Sequence, residues 1–263
     1  MLAAAANVLV RALLSPVCAA CRARLERPLD GPVCGACWRS IRRLTPPWCD
    51  WCGDALPAGP RLVPLCARCL QAPPSFDVAR SAALYDGSVR DLIHAFKYER
   101  RRILAAPLAR LLLHAGGGIL SDVDAVVPVP LHPWRSLHRG FNQADDLAQH
   151  LKRPVWRVLR RTRHGPPQST LSAAHREAAI DDAFTTRLWS SISAFHGATH
   201  QLRGATLVLV DDVMTTGATV EGCSRALLEA GARAVRVLTV ARAVAAQPSP
   251  RPPPRHLSTV PRR

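Results

Sequence analysis

Residues 207–219 read LVLVDDVMTTGAT, an apolar run that leads through two carboxylates into a hydroxyl-rich turn. The four apolar residues predict a strand that is buried on both faces, as in a parallel sheet. Open α/β sheets bind ligands at the carboxyl ends of their strands, and a helix N-terminus offers backbone N–H groups to an anion. We therefore expect Val208–Thr219 to form a strand, a turn and a helix start that hold a phosphorylated ribose.

The residue types in this segment suit different parts of such a ligand. Gly217 allows a phosphate to approach the backbone closely, and the neighbouring threonines add hydroxyl donors. The carboxylates of Asp211 and Asp212 would repel a phosphate, so we expect them to bind sugar hydroxyls and Mg²⁺. This combination resembles the ribose-phosphate signature of type I phosphoribosyltransferases.

Apolar strand patterns and helical patterns alternate on both sides of this segment. Strands are predicted at Val78–Tyr85, Ala125–Val129, Val155–Leu159, Thr206–Val210 and Val235–Val240. Helices are predicted around Val89–Phe96 and at Leu104–His114, Asn142–Leu151 and Val220–Ala230. The alternation predicts an α/β fold with a mostly parallel sheet flanked by helices. Residues 186–204 show no pattern that assigns them to either state.

Composition divides the chain of 263 residues into three parts. Residues 1–75 are rich in cysteine, proline and arginine, and residues 76–245 carry the alternating pattern. Residues 246–263 contain prolines and arginines but no acidic residue, so we expect a disordered tail. The prediction is a small N-terminal module, one sizeable domain and this tail.

Eight of the nine cysteines form four CxxC pairs in the N-terminal module. The residues are Cys18, Cys21, Cys34, Cys37, Cys49, Cys52, Cys66 and Cys69. Four thiolates complete a closed tetrahedral zinc site, so two pairs suffice for each ion. Sequential pairing, which predicts two structural zinc ribbons, is the simplest arrangement; a cross-braced arrangement and an iron site are the alternatives. The ninth, Cys223, is expected to be a packed thiol in a helix.

The net charge of +16 favours anionic partners such as phosphorylated metabolites or nucleic acid, although arginines can also serve simply to solvate a surface. The apolar stretch Leu2–Leu14 lacks the basic start and the cleavage site of a signal peptide, so we expect a short helix that packs on the body of the protein. No apolar run is long enough for a membrane span. A cytoplasmic protein is expected.

Several further motifs resemble those of the ComF family, in which a double zinc ribbon precedes a phosphoribosyltransferase domain. They are the cysteine array, Leu92–Tyr98 (LIHAFKY), Val127–His132 (VPVPLH), Arg139–Ala144 (RGFNQA), Gln168–Leu171 with Arg176 and Ala183-Phe184, and the loop at 207–219. The resemblance covers roughly residues 10–245.

The resemblance implies a site for 5-phosphoribosyl 1-diphosphate and Mg²⁺. Asp211 and Asp212 would hold the 2′- and 3′-hydroxyls. The 5′-phosphate would lie on Thr215, Thr216, Gly217, Ala218 and Thr219, and the diphosphate on Val129, Pro130, Leu131 and His132. Arg135, Arg139 and Asn142 follow the diphosphate loop and are placed to reach the diphosphate or a base. Residues 160–178, with Arg161, Arg163 and Gln168, resemble the mobile hood that closes over such sites.

In this scheme Asp211, Asp212, Arg139 and Arg161 are the candidate catalytic residues, and diphosphate is displaced from C1 of the ribose. The sequence departs at two positions from the patterns of the families that it resembles. Thr215 stands where purine-salvage enzymes carry a carboxylate, and threonine cannot act as a base at neutral pH, so purine salvage is not expected. Ala179 replaces the usual asparagine of the family.

Three functions are consistent with these residues. The first is a Mg²⁺-dependent phosphoribosyltransferase with an unidentified acceptor. The second is a non-catalytic protein that handles single-stranded DNA in competence, with the zinc ribbons and the basic surface holding DNA or DNA-processing proteins. The third is a sensor that binds the phosphoribosyl ligand without turnover.

Overall fold

The computed structural model describes residues 2–59, 62–131, 137, 139–161, 184–186 and 201–243. Its helices are α1 (Leu2–Leu14), α2 (Gly35–Arg39), α3 (Ala67–Gln71), α4 (Gly87–Tyr98), α5 (Ala105–Ala115), α6 (Gln143–Ala148) and α7 (Ala218–Glu229). Its strands are β1 (Val78–Leu84), β2 (Ala125–Pro128), β3 (Leu159–Arg161), β4 (Phe184–Thr186), β5 (Thr206–Met214) and β6 (Ala234–Arg242). Short 3-10 helices lie at Pro28–Asp30 and Arg102–Leu104.

Four strands form a parallel sheet in the order β1-β6-β5-β2. β5, which is nearly continuously apolar, lies inside the sheet between β6 and β2, where both of its faces are covered. β3 and β4 form a separate antiparallel pair. This architecture confirms the predicted α/β class with a mostly parallel sheet.

The two faces of the sheet bury separate cores. Val208 and Val210 of β5 pack on one face with α4 and α5, and Leu207 and Leu209 pack on the other face with α7. This alternation follows from the two-residue repeat of side chains along a strand. The result is a three-layer arrangement in which the sheet lies between two layers of helices.

Most element boundaries agree with the sequence prediction, and the differences have identifiable causes. β5 continues past Val210 because its next residues pair with Thr239, Ala241 and Arg242 of β6. The strand predicted at Val155–Leu159 is wrong in its extent: Val155 makes an isolated bridge to Val126, and β3 begins only at Leu159. Residues 187–200 and 244–263, which include the unassigned stretch and the predicted tail, lie outside the described residues.

The N-terminal helix forms as predicted, but several of its described apolar side chains are not buried against the body of the protein. Val8, Leu9, Leu13 and Leu14 are all more than half exposed. The Leu29 N–H donates a hydrogen bond to the Asn7 side chain at 3.1 Å. This bond joins the helix to the segment between Cys21 and Cys34. Within the described part of the chain, no helix is long and apolar enough to cross a membrane.

Candidate functional site

The end of β5 presents two adjacent carboxylates to opposite faces of the sheet. Asp212 is buried, and its Oδ1 lies 2.6 Å from the Nζ of Lys97 in the last turn of α4. Asp211 is partly buried on the side of α7, where its charge acts on the Cys223 thiol. In the sequence Lys97 is part of the motif LIHAFKY, and the motif by itself indicates no role for this residue. The one signal for a role was a lysine at the end of an apolar helix face.

Asp211 has an unusual proton affinity. Burial and the neighbouring charge of Asp212 raise the pKa of its carboxyl to about 7, against the opposing effects of Lys97, the Asp212 N–H and Arg139. The Asp212 N–H donates to Oδ1 of Asp211 at 2.8 Å. Two carboxylates this close cannot both ionise cheaply without a cation. Each carboxylate is therefore suited to attract a cation or to accept hydrogen bonds from hydroxyl groups on its own side of the sheet.

The loop after β5 has the form expected of a phosphate site. Thr215 and Thr216 are exposed, and Gly217 has φ +89°, the left-handed conformation that glycine adopts without strain. A Cβ at Gly217 would lie 2.9 Å from the Met214 Cε, the end of a flexible side chain, so the backbone conformation is the main constraint on this position. Ala218 and Thr219 follow in the first turn of α7, whose N–H groups face the loop.

The acidic residue in the first turn of α7 is held away from this loop. Glu221 accepts hydrogen bonds from the Ser75 N–H at 3.0 Å and from the Ser75 hydroxyl at 2.5 Å. Ser75 lies just before β1, on the cysteine-rich side of the molecule. These bonds occupy a carboxylate that would otherwise oppose an anion at the helix start.

The predicted diphosphate loop lies beside β5 because β2 and β5 are neighbours in the sheet. The Val129 N–H donates to the Val210 carbonyl at 3.0 Å, and the Asn142 side-chain amide donates to the Val129 carbonyl at 3.0 Å. Asn142 also caps α6 by accepting from the Ala144 N–H at 3.1 Å. Pro130 and Leu131 continue the loop, whereas His132 and Arg135 lie outside the described residues.

Arg139 stands at the mouth of this region. Its guanidinium lies 4.9 Å from the centre of the Tyr98 ring, and it donates to the Gln143 side-chain oxygen at 3.1 Å. Gln143 is buried, and among the described residues its Nε2 has no hydrogen-bond partner. Arg139 also lowers the pKa of Asp211, so its charge reaches the acid pair. The structure thus brings Arg139, Asp211 and Asp212 into one region.

Only the first part of the predicted hood is described. Arg161 pairs with Phe184 in the β3–β4 ribbon, and its charge acts on the Cys223 thiol in α7. It therefore lies on the same side of the sheet as Asp211. Cys223 is buried, as predicted, and burial raises its pKa well above the ordinary value. Arg163, Gln168 and Ala179 lie outside the described residues.

The cysteines form two tetrads in the predicted sequential pairing. One joins Cys18, Cys21, Cys34 and Cys37, and the other joins Cys49, Cys52, Cys66 and Cys69, with the sulfur atoms of each within 4.8 Å of one another. The cross-braced alternative is therefore wrong. Sulfur separations of 3.8 Å (Cys21 to Cys34) and 3.6 Å (Cys52 to Cys66) suit four ligands about 2.3 Å from one zinc ion.

The proton affinities in the first tetrad fit a site built for a cation. Burial raises the pKa of Cys18, but N–H donors led by that of Cys34 outweigh it and lower the pKa to about 7. Burial and the neighbouring thiols of Cys21 and Cys34 raise the pKa of Cys37 to about 12. Without a metal ion, thiols so close together cannot all ionise, because the thiolates would repel one another. A bound divalent cation offsets this repulsion.

In the second tetrad, too, the pKa of one thiol is lowered and that of another is raised. Burial raises the pKa of Cys49, but the N–H groups of Cys52 and Cys66 lower it to about 7. Burial raises the pKa of Cys52 to about 11. The nearby Trp51 packs against the core that contains this tetrad.

Comparisons with known proteins agree with both parts of the chain. A double zinc ribbon domain matches residues 9–70, and a phosphoribosyl transferase domain matches residues 137–260. The chain is 38% identical to the DNA utilization protein YhgH of Escherichia coli (strain K12) over 204 residues, which is 74% of this chain and 83% of that protein.

Two competence proteins are also similar. Competence protein F of Haemophilus influenzae is 31% identical over 209 residues, which is 75% of this chain and 85% of that protein. Competence protein ComFC of Bacillus subtilis is 30% identical over 153 residues, which is 58% of each chain. With its double zinc ribbon and its phosphoribosyltransferase fold, the chain belongs to the ComF family.

Proposed function

We propose that this protein binds 5-phosphoribosyl 1-diphosphate together with Mg²⁺ and transfers the phosphoribosyl group to an acceptor. The observation that carries the proposal is the meeting of three features at the ends of β5 and β2. These are the acid pair Asp211-Asp212, the phosphate loop after Met214 and the diphosphate loop that begins at Val129. They lie at the ends of neighbouring strands, which supports a single ligand with a phosphate on each loop.

Each group has a part in binding. The N–H groups and hydroxyls of Thr215–Thr219 would hold the 5′-phosphate. Asp211 and Asp212 would accept hydrogen bonds from the ribose hydroxyls and supply oxygens to Mg²⁺, which prefers carboxylate ligands. Residues 129–132 would hold the diphosphate through backbone N–H groups, with Arg139 adding positive charge nearby.

The reaction is a displacement at C1 of the ribose. The bond from C1 to the diphosphate oxygen breaks with its electron pair leaving on the diphosphate, and a nucleophilic atom of the acceptor forms the new bond to C1. Bound Mg²⁺ would neutralise charge on the departing diphosphate. Arg139 and Arg161 would stabilise the same charge from the protein, and Asp211 and Asp212 would orient the ribose. Thr215 is exposed and cannot remove a proton from the acceptor at neutral pH, so the acceptor must arrive as a competent nucleophile.

An acceptor screen tests this activity. Diphosphate release from the phosphoribosyl ligand is measured with Mg²⁺ in the presence of bases, amines and nucleic acids, for the wild type and Asp212→Ala. The proposal expects release with at least one acceptor and its loss in the variant. If no acceptor class supports release while the ligand still binds, the protein is a sensor and not a transferase.

A second function is favoured by the relatives and by the charge. The similar proteins are named for DNA utilization and competence, and this chain carries a net charge of +16. We propose as the alternative that the zinc ribbons and the basic surface hold single-stranded DNA, without catalysis. Fluorescence anisotropy with a labelled oligonucleotide would then show binding that weakens steeply with salt. Absence of binding at physiological salt excludes this alternative.

A further inference from the structure

An arginine of the second zinc ribbon contacts the backbone of the phosphate loop. Arg68 is in α3, between the zinc-ligand positions Cys66 and Cys69. Its Nη1 donates to the Thr216 carbonyl at 2.6 Å, and its Nη2 donates to the Asp54 carboxylate at 3.2 Å. The guanidinium therefore joins the ribbon to the loop through one hydrogen bond, and its second hydrogen bond, to Asp54, lies within the ribbon.

Contacts with the sheet hold Arg68 in place through Asp54. Asp54 follows the zinc-ligand position Cys52, and its second oxygen lies 2.7 Å from Nη2 of Arg242 at the end of β6. Arg242 is only 2% exposed, and it stands opposite Met214, the last residue of β5 before the loop. The chain of contacts runs from β6 through Asp54 to Arg68 and ends on the loop.

The two cysteine tetrads differ in their relation to this loop. Cys49, Cys52 and Cys69 belong to the same core as Met214 and Val220, which flank the loop. Cys18 and Cys37 of the first tetrad form a separate small core with Leu25. Only the second tetrad, among the described residues, is thus packed into the face of the sheet that carries the loop.

The contact with the Thr216 carbonyl has a consequence for the next N–H group. In a trans peptide the C=O and the following N–H point in opposite directions. Because Arg68 holds the Thr216 carbonyl towards the ribbon, the Gly217 N–H points away from the ribbon. Gly217 has a backbone that tolerates many conformations, so without this contact the peptide between Thr216 and Gly217 has little to hold its direction. A reversed peptide would turn a carbonyl oxygen towards a bound phosphate.

We propose that Arg68 is a positioning residue for the phosphate loop, and that the second zinc ribbon, through Arg68, sets the affinity of the loop for a ribose 5-phosphate group. This inference rests on the proposed function, in which Thr215–Thr219 hold a phosphate. The ribbon is then part of the ligand site and not only a separate structural module.

Calorimetric titration of the full chain with ribose 5-phosphate, and separately with inorganic diphosphate, tests the inference. Arg68→Ala is expected to weaken ribose 5-phosphate binding about tenfold, the effect of losing one charge-assisted hydrogen bond, and to leave diphosphate binding unchanged. Arg42→Ala is the matched control, because Arg42 also joins the cysteine module to the sheet domain, through an ion pair with Asp86 at 2.6 Å that does not involve the loop. It should bind both probes as the wild type does.

A conservative variant separates positioning from charge. Arg68→Lys keeps the positive charge but cannot offer the two-pronged geometry to Thr216 and Asp54, so it should remain several-fold weaker than the wild type. Full affinity in Arg68→Lys, or in Arg68→Ala, overturns the inference.

Amide hydrogen exchange in the absence of ligand distinguishes this inference from the proposed function. Residues 215–219 should exchange faster in Arg68→Ala than in the wild type or in Arg42→Ala. If the wild type binds no ribose 5-phosphate, the proposed function fails, and faster exchange would still support the positioning role. Equal exchange in all three proteins contradicts it.

Discussion

The ammonium of Lys97 lies 2.6 Å from the Asp212 carboxylate, with both side chains largely buried. The pair links the end of α4 to the end of β5, the strand that carries the proposed ribose site. It places a fixed positive charge where a bound cation would also be attracted. Binding of Mg²⁺ or of a ribose hydroxyl at Asp212 therefore has to share this carboxylate with Lys97.

Replacement of Lys97 by methionine should destabilise the protein by roughly 3 kcal/mol at neutral pH, because it leaves a buried carboxylate without its partner. Chemical denaturation measures the loss. Arg157→Met is the matched control: it removes an ion pair with Asp145 whose arginine is 51% exposed, and it should cost at most about 1 kcal/mol. Equal losses in the two variants would show that the Lys97 pair is no more than a surface contact.

Replacement of Asp211 by asparagine should change how stability depends on pH. The pKa of Asp211 is raised to about 7 in the folded protein, whereas an unfolded aspartate has a pKa of about 3.9. The folded state therefore holds this proton more tightly, and its stabilising effect is present below about pH 4 and lost as the pH rises through about 7.

Asparagine has no proton to lose, so Asp211→Asn should gain stability relative to the wild type at about pH 8 and gain little near pH 4. Urea denaturation across this range gives the comparison. A stability difference that does not vary with pH would mean that Asp211 titrates normally.

The two tetrads predict two zinc ions per chain, and metal analysis of the purified protein checks this number. Because several thiols keep their protons in the absence of metal, zinc binding to the apoprotein at neutral pH should release protons, which calorimetry in buffers of different ionisation enthalpy detects. Cys49→Ser should destabilise the sheet domain more than Cys21→Ser, since Cys49 is fully buried in the core of that domain and Cys21 is exposed. A single zinc ion per chain would contradict the account of the ribbons.

Replacement of Gly217 by alanine tests the phosphate loop. The residue has φ +89°, a left-handed conformation that alanine adopts only with strain, so alanine should distort the loop and displace the Met214 Cε, which a Cβ would meet at 2.9 Å. Ribose 5-phosphate binding should weaken about tenfold for a strain of 1–2 kcal/mol, with diphosphate binding retained. Gly204→Ala is a control at another left-handed glycine, where a Cβ meets nothing within 4 Å. If both variants bind alike, the loop is not where the phosphate lies.

The fold and the zinc tetrads could be predicted because each depends on local pattern. The apolar run before Asp211 is long enough to identify a buried strand, and the CxxC spacing leaves few ways to complete a tetrahedral site. The extension of β5 to Met214 could not be predicted from local pattern. Asp211 and Asp212 interrupt the apolar run, and pairing with β6 stabilises this part of the strand.

Contacts between segments that are distant in the sequence could not be predicted either. Lys97 meets Asp212, and Arg68 meets Thr216, only because the fold brings α4 and the second ribbon to the end of β5. In the sequence Arg68 is one of 35 lysines and arginines, with nothing local to distinguish it, and Lys97 has only its place at the end of an apolar helix face. The predicted ligand residues around 129 and 211–219 did come together, since parallel strands end at the same edge of a sheet.

Calorimetric titration with 5-phosphoribosyl 1-diphosphate and Mg²⁺ tests the central claim most directly. The wild type should bind one ligand per chain, with affinity that falls when Mg²⁺ is omitted, and Asp212→Asn should bind at least tenfold more weakly while remaining folded. Saturable binding that is unchanged by Asp212→Asn and by removal of Mg²⁺, or no binding at all, would contradict the assignment of the ribose-phosphate site to the end of β5.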